Sequence, residues 1–96
     1  MLKLALAGIF ALGISAAMAE PVSFVVFGDM PYDWPRDLAR FSDLIDASNR
    51  LHSDFAVHVG DIKGGSTPCS DAELQRALDQ IQTFEGAIVY TPGDNE

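Results

Sequence analysis

The sequence predicts an α/β domain of βαβαβ type with parallel strands. Three observations carry that prediction. First, three short apolar runs each end in Gly-Asp: Ser23 to Asp29, Phe55 to Asp61, and Ala87 to Asp94. Second, the acids stand at 29, 61 and 94, steps of 32 and 33 residues. A strand with its returning helix takes about thirty residues, so strands at this interval lie parallel. Third, each interval holds a stretch with apolar residues at helical spacing.

In order along the chain, residues 1–19 have the form of a secretory leader. Lys3 is the basic start, Leu4 to Ile14 is a short apolar core, and Ala17-Met18-Ala19 is an A-x-A cleavage site. The alternative is an uncleaved N-terminal anchor, for which the apolar stretch is short. Cleavage leaves residues 20–96, which are exported to the periplasm or the exterior.

The first strand is expected over Val22 to Phe27, and its near-continuous apolar run suits a strand covered on both faces. The loop Asp29-Met30-Pro31-Tyr32-Asp33-Trp34-Pro35 holds two prolines that exclude regular structure. Tyr32 and Trp34 either wall a pocket there or shield the end of the sheet. A helix is expected from Arg36 to about Leu51, with Leu38, Phe41, Leu44, Ile45 and Leu51 as its buried stripe. Asp37, Arg40, Asp43, Asp46 and Arg50 read as its solvated face.

In the second strand Phe55, Val57 and Val59 share one face, and Ala56 and His58 the other. His58 is either a hydrogen-bonded core histidine or a donor that orients a ligand carboxylate. The Gly-rich loop Ile62 to Pro68 is either a flexible surface loop or a cradle for an anion, with Lys63 adding charge. Its spacing is not that of a P-loop. Ser70-Asp71-Ala72-Glu73 is a capping box that opens a second helix. Its buried stripe is Leu74, Ala77, Leu78, Ile81 and Phe84, and Gly86 stops it. The third strand ends in Thr91-Pro92-Gly93-Asp94-Asn95-Glu96.

Parallel strands carry their carboxyl ends to one edge, where open α/β sheets bind ligands. Asp29, Asp61 and Asp94 would converge there as hard oxygen ligands. Carboxylates brought together repel unless a cation neutralises them, so the pattern points to a metal site. The chain has 14 acidic and 6 basic residues, a net charge of −8. Loss of Lys3 with the leader makes that −9, which argues against nucleic acid or an anionic membrane as partner. No HExxH, CxxC, GxSxG or GxGxxG pattern is present. Cys69 is the only cysteine. A piece of 77 residues buries little surface, and the text of the chain reads as the N-terminal part of a longer domain.

Read together, Gly28-Asp29, Gly60-Asp61 and Gly93-Asp94-Asn95-Glu96 resemble the opening half of the calcineurin-like metallophosphoesterases. Their pattern is D-x-H, then G-D, then G-N-H followed by an acid. The resemblance implies the N-terminal part of a four-layer αββα sandwich with two divalent metal ions. Asp29 would be the first metal ligand, Asp61 the carboxylate bridging both metals, and Asp94 the ligand of the second. Pro31 stands in place of the histidine of D-x-H. Asn95 stands in place of the catalytic histidine; it cannot act as a general acid, though its amide can donate to a phosphoryl oxygen.

The implied activity is hydrolysis of a phosphate ester by a hydroxide held between metals about 3.5–4 Å apart. Mixed oxygen and imidazole ligands suit Mn, Fe or Zn better than Mg. The resemblance further implies that Cys69 pairs with a cysteine beyond Glu96. Pro31 and Asn95 keep two alternatives open: a non-catalytic exported binding protein on the same fold, and an inactive fragment of the domain.

Overall fold

The computed structural model describes residues 18–96, so nearly all of the expected leader lies outside the described residues. The elements follow in the order β1 (Phe24–Phe27), α1 (Arg36–Asn49), β2 (Phe55–His58), α2 (Asp71–Ile81) and β3 (Ala87–Tyr90). The strands form one parallel sheet in the order β1-β2-β3. Phe27, His58 and Tyr90 stand side by side at the carboxyl end of the sheet. The α/β class and the parallel βαβαβ course are therefore as the spacing predicts.

The strand order advances in one direction. With right-handed crossovers both helices then fall on the same face of the sheet. The burial agrees. Phe27, Ala56, Phe41, Ile45, Ile62, Ala77, Ile81 and Phe84 form the core, with Val25, Met30 and Ile88 packed against it. Phe27 meets Phe41 and His58 edge-on, at centroid distances of 5.9 and 5.4 Å. The other face is open: Phe24, Val26 and Val89 are 54%, 56% and 51% exposed. Phe24 and Phe55 stack on that face at 5.0 Å. The expectation of a first strand covered on both faces thus fails for the described residues. Hydropathy reports that both faces are apolar, not what covers them.

The helices are narrower in their burial than their periodicity suggests. In α1 only Phe41 and Ile45 of the expected stripe are fully buried; Leu38 and Leu44 sit at its margin and Leu51 is exposed. Two helices on a three-stranded sheet have only one packing line each, so the flanks of a wide apolar stripe stay in water. The same holds in α2, where Ala77 and Ile81 are buried but Leu74 and Leu78 are not. Ser70 caps α2 as its sequence requires, Oγ accepting from Glu73 N at 3.3 Å. Asn49 ties the end of α1 to the turn between α2 and β3. Its side chain donates to Thr83 O at 3.1 Å and accepts from Glu85 N at 2.8 Å.

Asp37 corrects the reading of a wholly solvated charged face. It is buried. Its Oδ2 accepts from Tyr32 N at 3.1 Å and Asp33 N at 2.8 Å, while Arg36 Nε donates to Oδ1 at 3.3 Å. The carboxylate stands in for the regular partners that the proline-bounded loop lacks. These bonds from Asp33 and Tyr32, with Arg36 beside them, outweigh burial and hold its carboxyl below the usual aspartate range. Arg40, Asp43, Asp46 and Arg50 are exposed as expected.

Candidate functional site

The ladder runs on past the strand ends. Val59 N donates to Phe27 O, Asp29 N to Gly60 O, and Thr91 N to His58 O, at 2.9–3.0 Å. These bonds bring the three Gly-Asp tips to one edge. The glycines are there for close approach. A Cβ on Gly28 would stand 2.4 Å from Val59 Cγ2, and one on Gly60 2.1 Å from Gly93 N. A Cβ on Gly93 would stand 2.1 Å from Asp61 Oδ1.

Asp29 and Asp61 both take φ 57°, the left-handed region that aspartate tolerates better than most residues. The two tips have the same turn. Both carboxylates then face one phenol: Tyr32 Oη donates to Asp29 Oδ1 at 3.1 Å, with Asp61 Oδ2 at 3.5 Å. Partial burial and the adjoining carboxylates of Asp29 and Asp61 push the Tyr32 hydroxyl up to about 12. Asp61 Oδ1 is held from the other side by Asn95 N at 3.1 Å.

The third tip is built differently. Asp94 has no left-handed turn; it is exposed and makes no hydrogen bond to Asp29 or Asp61. The acid from this loop that reaches the centre is Glu96. Its Oε1 accepts from Asp61 N and Gly93 N, each at 3.0 Å, and from Tyr90 Oη. Burial alone would raise the Glu96 pKa; the bonds from Tyr90, Gly93 and Asp61 outweigh it and hold the group below the usual glutamate range. Glu96 Oε2 is buried without a partner among the described residues. Asn95 enters the site through its backbone N–H, while its side-chain oxygen lies against Gly65.

His58 is fully buried and has both ring nitrogens in use. Gly60 N donates to Nδ1 at 3.0 Å, so Nε2 carries the proton and faces Met30 O at 3.2 Å. The ring is thus a neutral core donor that ties β2 to the loop after β1. Burial lowers its pKa despite the opposing pull of Met30 O, Glu96 and Asp29. Pro31, at the position of the histidine in D-x-H, is also fully buried. Lys63 is only 4% exposed, and its Nζ meets Gly64 O at 3.4 Å. Cys69 is free and exposed, with Sγ 3.6 Å from Asn95 O, which sets the Gly-rich loop beside the loop after β3.

The donor set at this edge is hard oxygen: two carboxylates on neighbouring tips that share one phenol. That chemistry fits a divalent cation. Among the described residues no group of three or more His, Cys, Asp or Glu is gathered closely enough to complete a ligand set. Asp29 and Asp61 form the assembled half of the expected site. Glu96 is the member that sequence reasoning gave no role, and Tyr32 is the one it placed only as a pocket wall or a shield for the sheet end. Tyr32 had a signal in its place three residues after Asp29; Glu96 had one only as the acid closing the Gly-Asp-Asn-Glu run.

Comparison with known proteins adds no relative: no family model, no curated protein and no solved structure matches the chain. Among the described residues no helix is long and apolar enough to cross a membrane.

Proposed function

We propose that the protein is an exported, metal-dependent phosphoester hydrolase of calcineurin-like type. The observation that carries this reading is the convergence of Asp29 and Asp61 from adjacent strand tips on the Tyr32 hydroxyl. The motif spacing supports it, as does the identical left-handed turn at the two acids. The open apolar face of the sheet supports the finer architecture, a second sheet packed there to make the αββα sandwich.

In this reading Asp29 and Asp61 hold divalent ions, Mn, Fe or Zn in preference to Mg, and Asp94 adds a further carboxylate on the rim. Such ions, when bound, supply Lewis acidity to the phosphoryl group and a nucleophile at neutral pH. The rest is done by the chain. Asn95 N and the Glu96-bound backbone of Asp61 fix the Asp61 carboxylate in orientation. The Tyr32 hydroxyl keeps the two acids facing one point. The Asn95 amide donates to a phosphoryl oxygen. Cys69, beside Asn95, pairs with a cysteine beyond Glu96.

The test is hydrolysis of an aryl phosphate by the full-length protein with added Mn²⁺ or Zn²⁺, alongside metal content. Asp61→Ala should abolish turnover and release metal. The absence of both effects would dispose of the proposal. Metal binding without turnover would select the second reading, a non-catalytic binding protein, which the placement of Asp94 away from the pair favours.

A further inference from the structure

Beside the acid pair lies a recess of about 270 Å³, walled by Tyr32, Asp33, Trp34, Thr67, Glu73 and Arg76. Tyr32 belongs to both places: it lines the recess, and its hydroxyl donates to Asp29. A group entering the recess is therefore one residue away from the carboxylates.

The charges of the recess are spent on one another. Asp33 pairs with Arg36 at 3.2 Å, and Glu73 pairs with Arg76. The Arg76 guanidinium also rests 5.1 Å from the Trp34 ring centroid. No unpaired charge is left to select an anion or a cation. What remains is hydrogen-bonding capacity: the Thr67 hydroxyl, the unused lone pairs of two carboxylates and the unused N–H groups of a guanidinium. The wall is mainly polar, with one indole among its members. The volume falls just below the range of drug-sized pockets, so it suits one small ring or a short chain.

We infer that this recess receives the alcohol part of the phosphate ester, and that this part is a neutral, polyhydroxylated group of sugar or polyol type. The inference rests on the phosphoesterase reading above for the ester, and on the recess alone for the class of alcohol. A wall that hydrogen-bonds hydroxyls favours a ligand that carries them, because a ligand without them displaces water from the polar groups and does not replace its bonds. An aryl or alkyl group leaves this wall unpaired.

Trp34 is the only tryptophan of these 96 residues and walls the recess, so the part of the emission that Trp34→Phe removes reports on it. The full-length, metal-free protein is titrated with glucose 6-phosphate and with phenyl phosphate, and then assayed on both with Mn²⁺. The expected result is a saturable change in Trp34 emission, half-complete at a concentration at least tenfold lower for the sugar ester. Thr67→Val, which keeps the side-chain shape, and Glu73→Gln should each raise that concentration about tenfold. Equal response to both esters, or a sugar-ester response unmoved by both substitutions, overturns the inference. Turnover of both esters without preference overturns it while leaving the phosphoesterase reading intact. A sugar-ester preference in emission without any turnover sinks the phosphoesterase reading and upholds the class of ligand.

Discussion

Gly93 and Asp61 are in such close contact that a single methyl group on Gly93 would occupy the place of Asp61 Oδ1. The third Gly-Asp therefore serves the second. Its glycine leaves room for the neighbouring carboxylate, while its own aspartate is exposed and makes no hydrogen bond to Asp29 or Asp61. The loop after β3 then closes on Asp61 from the other side through Asn95 N and Glu96 Oε1.

Gly93→Ala should accordingly damage the site more than the fold. The added methyl meets backbone and carboxylate, not the end of a flexible side chain. Overpacking of this kind costs about 1–3 kcal/mol. The expected outcome is a modest fall in Tm together with loss of divalent-metal binding, measured by thermal unfolding and by calorimetric titration with Mn²⁺. Full metal affinity in the variant would show that Asp61 takes no part in holding metal.

Asp37→Asn tests how the loop after β1 is held. The carboxylate accepts from two successive backbone N–H groups and so places Tyr32. Because its pKa is lowered in the folded state, its stabilisation is complete above the ordinary aspartate value of about 3.9 and lost as pH falls through the lower folded value. The variant should melt below the parent at pH 7, and the gap should narrow as pH falls under about 3.9. A gap that is constant over pH would remove the charge from the explanation.

His58 predicts a second pH dependence, in a different window. Its folded pKa is lowered by burial, so the neutral ring is the form that the fold accepts. Stability is then complete above the unfolded histidine value of about 6.5 and declines as pH falls from there through the folded pKa. Glu96 and Asp29 face the ring and oppose the shift without reversing it, and Glu96, held below the usual glutamate range, keeps its charge through this window. The imidazole resonances of His58 should titrate below 6.5, with a fall in Tm over the same range. Titration above 6.5 contradicts the assignment of a neutral core donor.

The expected leader has its own check. Expression with a working export pathway should give a protein beginning at Glu20, seen by intact mass and N-terminal sequencing. Retention of Met1 in a membrane fraction would favour the uncleaved anchor instead.

The chain's periodicity was enough to determine the class of fold. Apolar runs at intervals of 32 and 33 residues leave parallel strands with returning helices as the economical solution, because strand and helix lengths are set by backbone geometry. The cap at Ser70 and the alternation around His58 were legible for the same local reason. Three Gly-Asp pairs look alike as letters, yet only the tertiary structure separates them. Asp29 and Asp61 share one turn and one phenol, while Asp94 stays on the rim and Glu96 moves in. Burial of Asp37 and exposure of the outer strands on one sheet face were likewise settled by what lies alongside. Local sequence dictates how each strand tip can turn; which side chains then meet depends on the lateral fit between tips, and that contact is made by residues 29 and 34 positions apart.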